Sequence, residues 1–133
     1  MPYAFEFDWR NRVFRVRLYG RVTDKVLRDF YRAAYKINFH TQPVAALLDM
    51  SEITSLELST ATVLELAAAA PLMPLENRPR VLIAPTAASY KVARLFERHG
   101  KATRPKLHVV RTEGEALGII GVKKPNFEPL DWM

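Results

Sequence analysis

The sequence contains no cysteine, which excludes a disulfide scaffold, a thiolate metal site and a cysteine nucleophile. Its five glycines are scattered along the chain, so there is no glycine-rich loop of the kind that cradles phosphate groups. No apolar run approaches the ~20 residues of a membrane-spanning helix. The first residues also lack the charged-then-apolar pattern of a signal peptide. We therefore expect a cytoplasmic protein with no membrane span, and no cofactor is implied.

Catalytic and metal-binding patterns are also missing. The three histidines fall in a predicted loop, at a predicted helix end and in a predicted strand: His40, His99 and His108. No two of them have the spacing of a metal pair on one element. Glu6 and Asp8 share a strand face, but Arg15 is expected beside them, and this favours ion pairing over acid–base catalysis. We predict that the chain is not an enzyme and holds no metal.

The composition is that of one folded domain. The chain has 133 residues, of which 49% are hydrophobic and 26% charged, and this argues against disorder. Twenty basic residues against fourteen acidic ones leave a net charge of +6. Such a charge favours acidic partners but also occurs in many proteins that never bind nucleic acid.

The N-terminal residues predict a β-hairpin. Tyr3–Asp8 and Val13–Tyr19 both alternate between apolar and polar side chains, as strands with one buried face do. A two-residue turn at Arg10–Asn11 pairs Phe7 with Phe14. The same register sets acidic residues against basic ones on the other face, and this agreement supports the pairing.

After the hairpin, helical and strand patterns alternate. Helices are predicted at about residues 24–36, 59–70, 87–99 and 113–120, and strands at 44–48, 80–84 and 106–110. Thr23 is the N-cap candidate of the first helix, with Asp24 in its first turn, and Gly100 is expected to stop the third helix. Asn38–Pro43 and Ser51–Leu58 are expected to be loops, although Thr54 and Glu57 have a capping-box spacing that would start the second helix earlier. The order β-β-α-β-α-β-α-β-α predicts an α/β fold with a five-strand mixed, mainly parallel sheet and four helices. The first strand should lie at the sheet edge.

The last twelve residues predict an extended arm, 122–133, after a single domain of residues 1–121. The arm carries Phe127, Leu130 and Trp132 between prolines, which cannot continue a helix. Burial of these side chains favours docking on the arm's own domain, for example over the apolar segment Pro71–Leu75. Exchange of the arm within a homodimer is the alternative.

The segment Leu47–Thr60 resembles the STAS family, the sulfate-transporter and anti-sigma-factor-antagonist domains. Its apolar strand ends in Asp49, a small polar loop with Ser51 and Thr54 follows, and Ser59 opens a helix. Glu57 stands where the family usually has an aspartate. The strand and helix at 81–100 and the helix start at 112–117 are also similar to the family, so the resemblance covers about residues 3–120. It implies a non-enzymatic regulatory module that binds a protein partner, such as a kinase or an anti-sigma-like protein.

The resemblance also implies a candidate phosphorylation switch, with one departure. In antagonist members the first serine of a pair is phosphorylated, and here that position is Leu58. Ser59 or Thr60 can substitute for it; otherwise Ser59 is a helix cap and the switch is lost. A phosphate at a helix start gains from the free N–H groups and the helix dipole, and it repels a partner that fits the neutral form. The expected binding surface comprises Asp49, Ser51, Thr54, Glu57, Leu58, Ser59 and Thr62.

Two other kinds of partner remain as alternatives. A small apolar or anionic ligand, such as a lipid or a nucleotide, would bind near the same helix N-termini. Nucleic acid could contact a basic stripe on the third helix, formed by Lys91, Arg94, Arg98 and Lys101. Glu97 lies on the same helix and indicates an ordinary solvent-exposed helix face instead. Nucleic-acid binding is therefore the less favoured hypothesis.

Overall fold

The computed structural model describes residues 2–71 and 77–130. In these residues it has four helices and a six-stranded sheet. The strands are β1 Tyr3–Asp8, β2 Val13–Thr23, β3 Ala45–Glu57, β4 Arg80–Ile83, β5 Leu107–Val110 and β6 Glu128–Pro129. The helices are α1 Asp24–Thr41, α2 Thr60–Ala68, α3 Ala87–Gly100 and α4 Glu113–Ile120.

The sheet has the strand order β5-β4-β3-β2-β1-β6. Strands β2 to β5 are parallel to one another, and β1 is antiparallel to β2 on one side and to β6 on the other. Phe30 of α1, Leu66 of α2 and Ala93 of α3 share one core cluster, whereas Ala116 of α4 lies in a second cluster. Three helices therefore cover one face, and α4 covers the other. The predicted α/β architecture is confirmed, with one strand more than expected.

The sixth strand comes from the C-terminal arm. Glu128 and Pro129 pair with Phe7 and Glu6 of β1, and the Leu130 N–H donates to the Phe5 carbonyl at 2.8 Å. The prediction that β1 forms the sheet edge is therefore wrong. Periodicity cannot show a two-residue strand, because alternation needs a longer segment.

The hairpin has the predicted register but a different turn. Phe7 lies opposite Phe14, as expected. The turn spans residues 9–12, and its positive φ of 57° falls on Arg12. The Asp8 carboxylate accepts hydrogen bonds from the Asn11 N–H at 2.9 Å and from its Nδ2 at 2.8 Å. This carboxylate holds a four-residue loop closed, so the predicted two-residue turn at Arg10–Asn11 is wrong.

Helix α1 begins at the predicted cap and ends later than predicted. Thr23 is the N-cap, and its side chain accepts a hydrogen bond from the Val26 N–H. The helix continues through the segment 38–41 that was expected to be a loop. Arg12 donates from Nη2 to the carbonyls of Thr41 at 2.7 Å and Gln42 at 3.1 Å. These bonds satisfy carbonyls that have no partner within the helix, and they stabilise its last turn.

Strand β3 also extends beyond its predicted end. Residues 51–58 were expected to form a loop, but the segment 52–57 pairs with Tyr19–Thr23 of β2. Ion pairs between Arg17 and Glu52 and between Arg21 and Glu57 join the two strands. The pairing shifts register on either side of Gly20, which has a φ of +71°. Thr54 and Glu57 therefore do not start a helix, and the alternative capping box is wrong.

Gly100 permits a close contact between helices. Its predicted role was to stop α3, but it is the last helical residue and is buried. A Cβ at this position would lie 3.2 Å from Nη1 of Arg104 and 3.7 Å from Cβ of Ala67 in α2. The glycine is therefore required by packing against α2 and Arg104.

Arg104 caps the C-terminal end of α2 from inside the protein. The residue is only 3% exposed. Its guanidinium donates to the carbonyls of Ala67 at 2.9 Å, Leu66 at 3.2 Å and Ala69 at 3.1 Å. The helix dipole places partial negative charge at this end, so these carbonyls stabilise the buried cation.

Replacement of Arg104 by methionine should destabilise the protein by about 3 kcal/mol, because three buried carbonyls lose their donors. The free energy of unfolding, measured by urea denaturation, tests this. Arg98→Met is the matched control, since Arg98 is exposed, and it should change stability by less than about 0.5 kcal/mol. Equal stability of the two variants would contradict the capping role.

The described part of the arm, residues 122–130, packs on its own domain. Val122 and Phe127 contact the second core cluster, and the Arg15 guanidinium lies 4.0 Å from the centroid of the Phe127 ring. The Asn126 N–H donates to Asp8 Oδ2 at 2.9 Å. Trp132 and residues 72–75 of the expected docking segment lie outside the described residues.

Truncation after Gly121 should lower the stability by about 3 kcal/mol or more, of which the Phe127 side chain contributes about 2. The reduction in Tm should be the same at low and high protein concentration, because the arm docks within one chain. Calorimetry at two concentrations measures the Tm, and light scattering measures the mass. A truncated protein that keeps its Tm but changes from dimer to monomer would contradict docking within the chain.

Candidate functional site

The candidate site is the surface formed by residues 49–62, where β3 ends and α2 begins. Strand β3 pairs with β4 only over Ala46–Asp49, while its pairing with β2 continues to Glu57. Residues 50–57 therefore form a two-stranded ribbon with β2 that projects beyond the carboxyl end of β4. The start of α2 follows directly after this ribbon, so strand and helix residues meet at one edge of the sheet.

Asp49 is the first carboxylate of this surface. One oxygen, Oδ1, accepts hydrogen bonds from the Ser51 N–H at 2.9 Å and from the Ser51 hydroxyl at 2.6 Å. The carboxylate therefore fixes the backbone where β3 leaves β4. Ser51 itself is exposed.

Glu57 is the second carboxylate, and its partners keep it ionised. Arg21 donates from Nε to Oε2 at 2.6 Å and from Nη2 to Oε1 at 2.9 Å. The Ser55 hydroxyl donates to Oε2 at 2.9 Å. The hydrogen bonds from Arg21 and then from Ser55 lower the pKa of Glu57 to about 2. This carboxylate is thus an anchor for the ribbon and carries no proton near neutral pH.

Ser59 is the N-cap of α2, as predicted, and a residue of α1 holds it. Its side chain accepts from the Thr62 N–H at 3.2 Å. Its own N–H donates to Asp24 Oδ1 at 2.9 Å, and its hydroxyl donates to Asp24 Oδ2 at 2.8 Å. The hydrogen bond from the Ser59 backbone, followed by the one from its side chain, lowers the pKa of Asp24. Asp24 therefore links the starts of α1 and α2.

Two of the predicted surface residues point inward. Leu58 is half-buried and packs against the main core cluster. Thr62 is 1% exposed, and its hydroxyl accepts a hydrogen bond from Arg28 Nη2 at 3.1 Å. These two side chains pack beneath the surface, whereas Thr54, Ser59 and Thr60 are exposed.

Sequence reasoning did not identify Asp24 and Arg28 as parts of the site. Asp24 was predicted only as an acidic residue in the first turn of α1. Both lie more than thirty residues from their partners in α2. The one available signal was the acidic residue itself, because a carboxylate at a helix start can also accept hydrogen bonds from outside the helix.

The basic stripe of α3 is partly neutralised on its own helix. Arg94 forms an ion pair with Glu97 at 2.8 Å, and Lys101 lies 4.0 Å from the same carboxylate. This pairing agrees with an ordinary solvated face.

Within residues 2–71 and 77–130, His, Asp and Glu side chains do not form a group of three that could hold a metal ion. In the same ranges, none of the helices has the length and apolar character needed to cross a membrane.

Replacement of Asp24 by asparagine should lower stability at neutral pH, because the carboxylate is the acceptor for two Ser59 donors. The lowered pKa means that this stabilisation is present above the usual aspartate pKa near 4. It is lost as the pH falls through the folded-state value. Urea denaturation at several pH values should therefore show a lower free energy of unfolding for Asp24→Asn than for wild type. This difference should disappear below about pH 4.

Asp29→Asn is the matched control on the same helix. Asp29 forms ion pairs at 3.3 Å with Lys25 and 4.0 Å with Arg32, and such surface pairs contribute little. Two results would contradict the link to Ser59. One is a loss of unfolding free energy in Asp24→Asn that is no larger than in Asp29→Asn, and the other is a loss that persists in acid.

Neither a protein-family model nor a curated protein matches the chain. A solved structure does match it, that of the Bacillus cell fate determinant SpoIIAA in the phosphorylated form, with a TM-score of 0.55 and 16% sequence identity. The match covers 87% of this chain and 96% of that one. At this identity the likeness concerns the fold, and it confirms the STAS-like fold implied by the resemblance of the sequence.

Proposed function

We propose that this protein is a non-enzymatic regulatory module that binds a protein partner through the surface at residues 49–62. The fold, shared with a cell fate determinant solved in its phosphorylated form, supports a regulatory STAS-like module. The observation that carries the proposal is the position of four exposed hydroxyl residues at one edge of the sheet: Ser51, Thr54, Ser59 and Thr60. We refer to these four as the hydroxyl surface.

The carboxylates of this region serve the hydroxyl surface as internal acceptors. Asp49 binds Ser51, Asp24 binds Ser59 and Glu57 binds Ser55 and Arg21. The surface therefore has a fixed backbone and presents neutral hydroxyl groups for contact. Preorganised polar groups on strands and helix starts suit the recognition of a partner, because little freedom is lost on binding.

A phosphorylation switch would act through Thr60 in this arrangement. Leu58, which occupies the position phosphorylated in the family, packs towards the core. The Ser59 hydroxyl lies 2.8 Å from an Asp24 oxygen, and a phosphate there would be repelled by the carboxylate. Thr60 is exposed in the first turn of α2, where the helix dipole favours negative charge. Ser59 is the second candidate for the phosphate.

Pull-down from the organism's own lysate tests partner binding. The baits are wild type, Thr60→Glu, and Ala102→Glu as the control that adds the same charge at an exposed position near the opposite edge of the sheet. Wild type and Ala102→Glu should capture the same partner, and Thr60→Glu should lose most of it because a negative charge repels a partner that fits the neutral surface. Full retention by Thr60→Glu, or no specific partner for wild type, would overturn the proposal.

Phosphorylation itself is tested by mass spectrometry of the protein isolated from its own cells. A phosphopeptide is expected that contains residues 59–60, and Thr60→Ala should remove it while Ser59→Ala leaves it in place. A phosphate that persists in Thr60→Ala and disappears in Ser59→Ala would assign the switch to Ser59. Lack of any phosphopeptide would leave Ser59 with its capping role alone and remove the switch from the proposal.

A further inference from the structure

The core between the sheet and the helices α1, α2 and α3 is not completely filled. A cavity of about 120 Å³ lies there, lined almost entirely by apolar side chains of the strands and these three helices. Phe14 and Leu48 contribute from the sheet, and Phe30 and Phe96 from the helices. Protein interiors normally have few voids larger than a water molecule. An engineered apolar cavity of ~150 Å³ in another protein stays dry and binds benzene. This cavity is somewhat smaller, so a benzene ring is the upper limit for the apolar part of a ligand.

Asn38 is the unusual residue of this cavity. It lines the cavity from α1, on the same buried helix face as Leu27, Phe30 and Ala34. It is 0% exposed, and within the described residues neither its Nδ2 nor its Oδ1 has a hydrogen-bond partner. A buried amide without partners is costly. An apolar residue would meet no such cost, so the amide at this position points to a ligand that both donates and accepts.

Two arginine side chains make the lining of the cavity positively charged at one end. Arg80, 7% exposed, and Arg104, 3% exposed, also line it. Arg80 is the first residue of β4, and Arg104 precedes β5. Asn38 lies in the last turns of α1, which runs back to the start of β3. All three polar residues thus belong to the edge of the sheet where the parallel strands begin. The positive charge of the two arginines disfavours a cationic ligand.

We propose that this cavity binds a small neutral carboxamide whose apolar body is no larger than a benzene ring. The apolar body fills the space between the sheet and the three helices. The polar group pairs with the Asn38 amide, which supplies one donor and one acceptor. The polar end of this site lies at the edge of the sheet opposite the hydroxyl surface, and the inference does not rest on the proposed function.

Four probes of similar size separate the contributions to binding. Benzamide carries the proposed polar group, benzoate at neutral pH can only accept hydrogen bonds, benzene carries no polar group, and benzylamine carries a positive charge. Chemical shifts in ¹H–¹⁵N spectra, with the Asn38 side-chain amide as reporter, measure binding at millimolar concentration. Benzamide should bind at least about fivefold more tightly than benzene, as expected for one net hydrogen bond. Benzoate should bind more weakly than benzamide because it has no donor for Asn38 Oδ1, and benzylamine should bind most weakly. Absence of binding by all four would overturn the proposal.

Two substitutions locate the site. Asn38→Leu keeps the approximate size of the side chain and removes the amide, so it should abolish the preference for benzamide over benzene and raise the Tm of the free protein. Ala93→Leu, from a buried position that lines the cavity, should abolish binding of every probe, and Ala93→Val should weaken it if the larger variant does not fold. Ala102→Leu is the exposed control. An unchanged preference in Asn38→Leu, or unchanged binding in both Ala93 variants, would contradict this assignment.

Discussion

The guanidinium of Arg104 is the interaction on which the proposed binding surface and the cavity both depend. Helix α2 is nine residues long, and helices this short are marginal without tertiary support. Arg104 supplies that support by binding three carbonyls at the end of α2, while Nη2 also donates to the Tyr31 hydroxyl of α1 at 3.2 Å. Its cation lies 5.0 Å from the centroid of the Phe96 ring in α3. One buried side chain therefore ties together the three helices that cover this face of the sheet. Because α2 carries Ser59 at one end and lines the cavity with Val63 and Leu66, its position determines the geometry of both regions.

The sequence predicted the fold correctly where two independent local patterns required the same structure. In the hairpin, one register satisfied both the apolar and the charged pairings, and the structure has that register. The caps Thr23 and Ser59 were predicted in the same way, because each is a hydroxyl residue that directly precedes a helical pattern. The turn was mispredicted because the Asp8 carboxylate, rather than the conformational freedom of Asn11, determines its length.

The extensions of α1 and β3 could not be predicted from local pattern, because contacts distant in sequence produce them. The last turn of α1 is held by Arg12, which is 29 residues away. The second half of β3 is polar and pairs on one side only, so it has the composition of a loop. Its pairing with β2 is stabilised by Arg17 with Glu52 and by Arg21 with Glu57. In the candidate site, likewise, the cap at Ser59 follows from the sequence, but the Asp24 carboxylate that holds it comes from 35 residues earlier.

Leu58 lies between the proposed binding surface and the cavity. It stands between Glu57 and Ser59, whose polar side chains hold the surface, yet its own side chain packs against the main core and lines the cavity. A phosphorylated residue at this position would require a side chain turned towards solvent, and the leucine here points inward instead. A molecule in the cavity would contact Leu58, which directly precedes the N-cap Ser59. A ligand that binds only the folded state also stabilises it by mass action, and that stabilisation includes the packing of Leu58 beneath the hydroxyl surface.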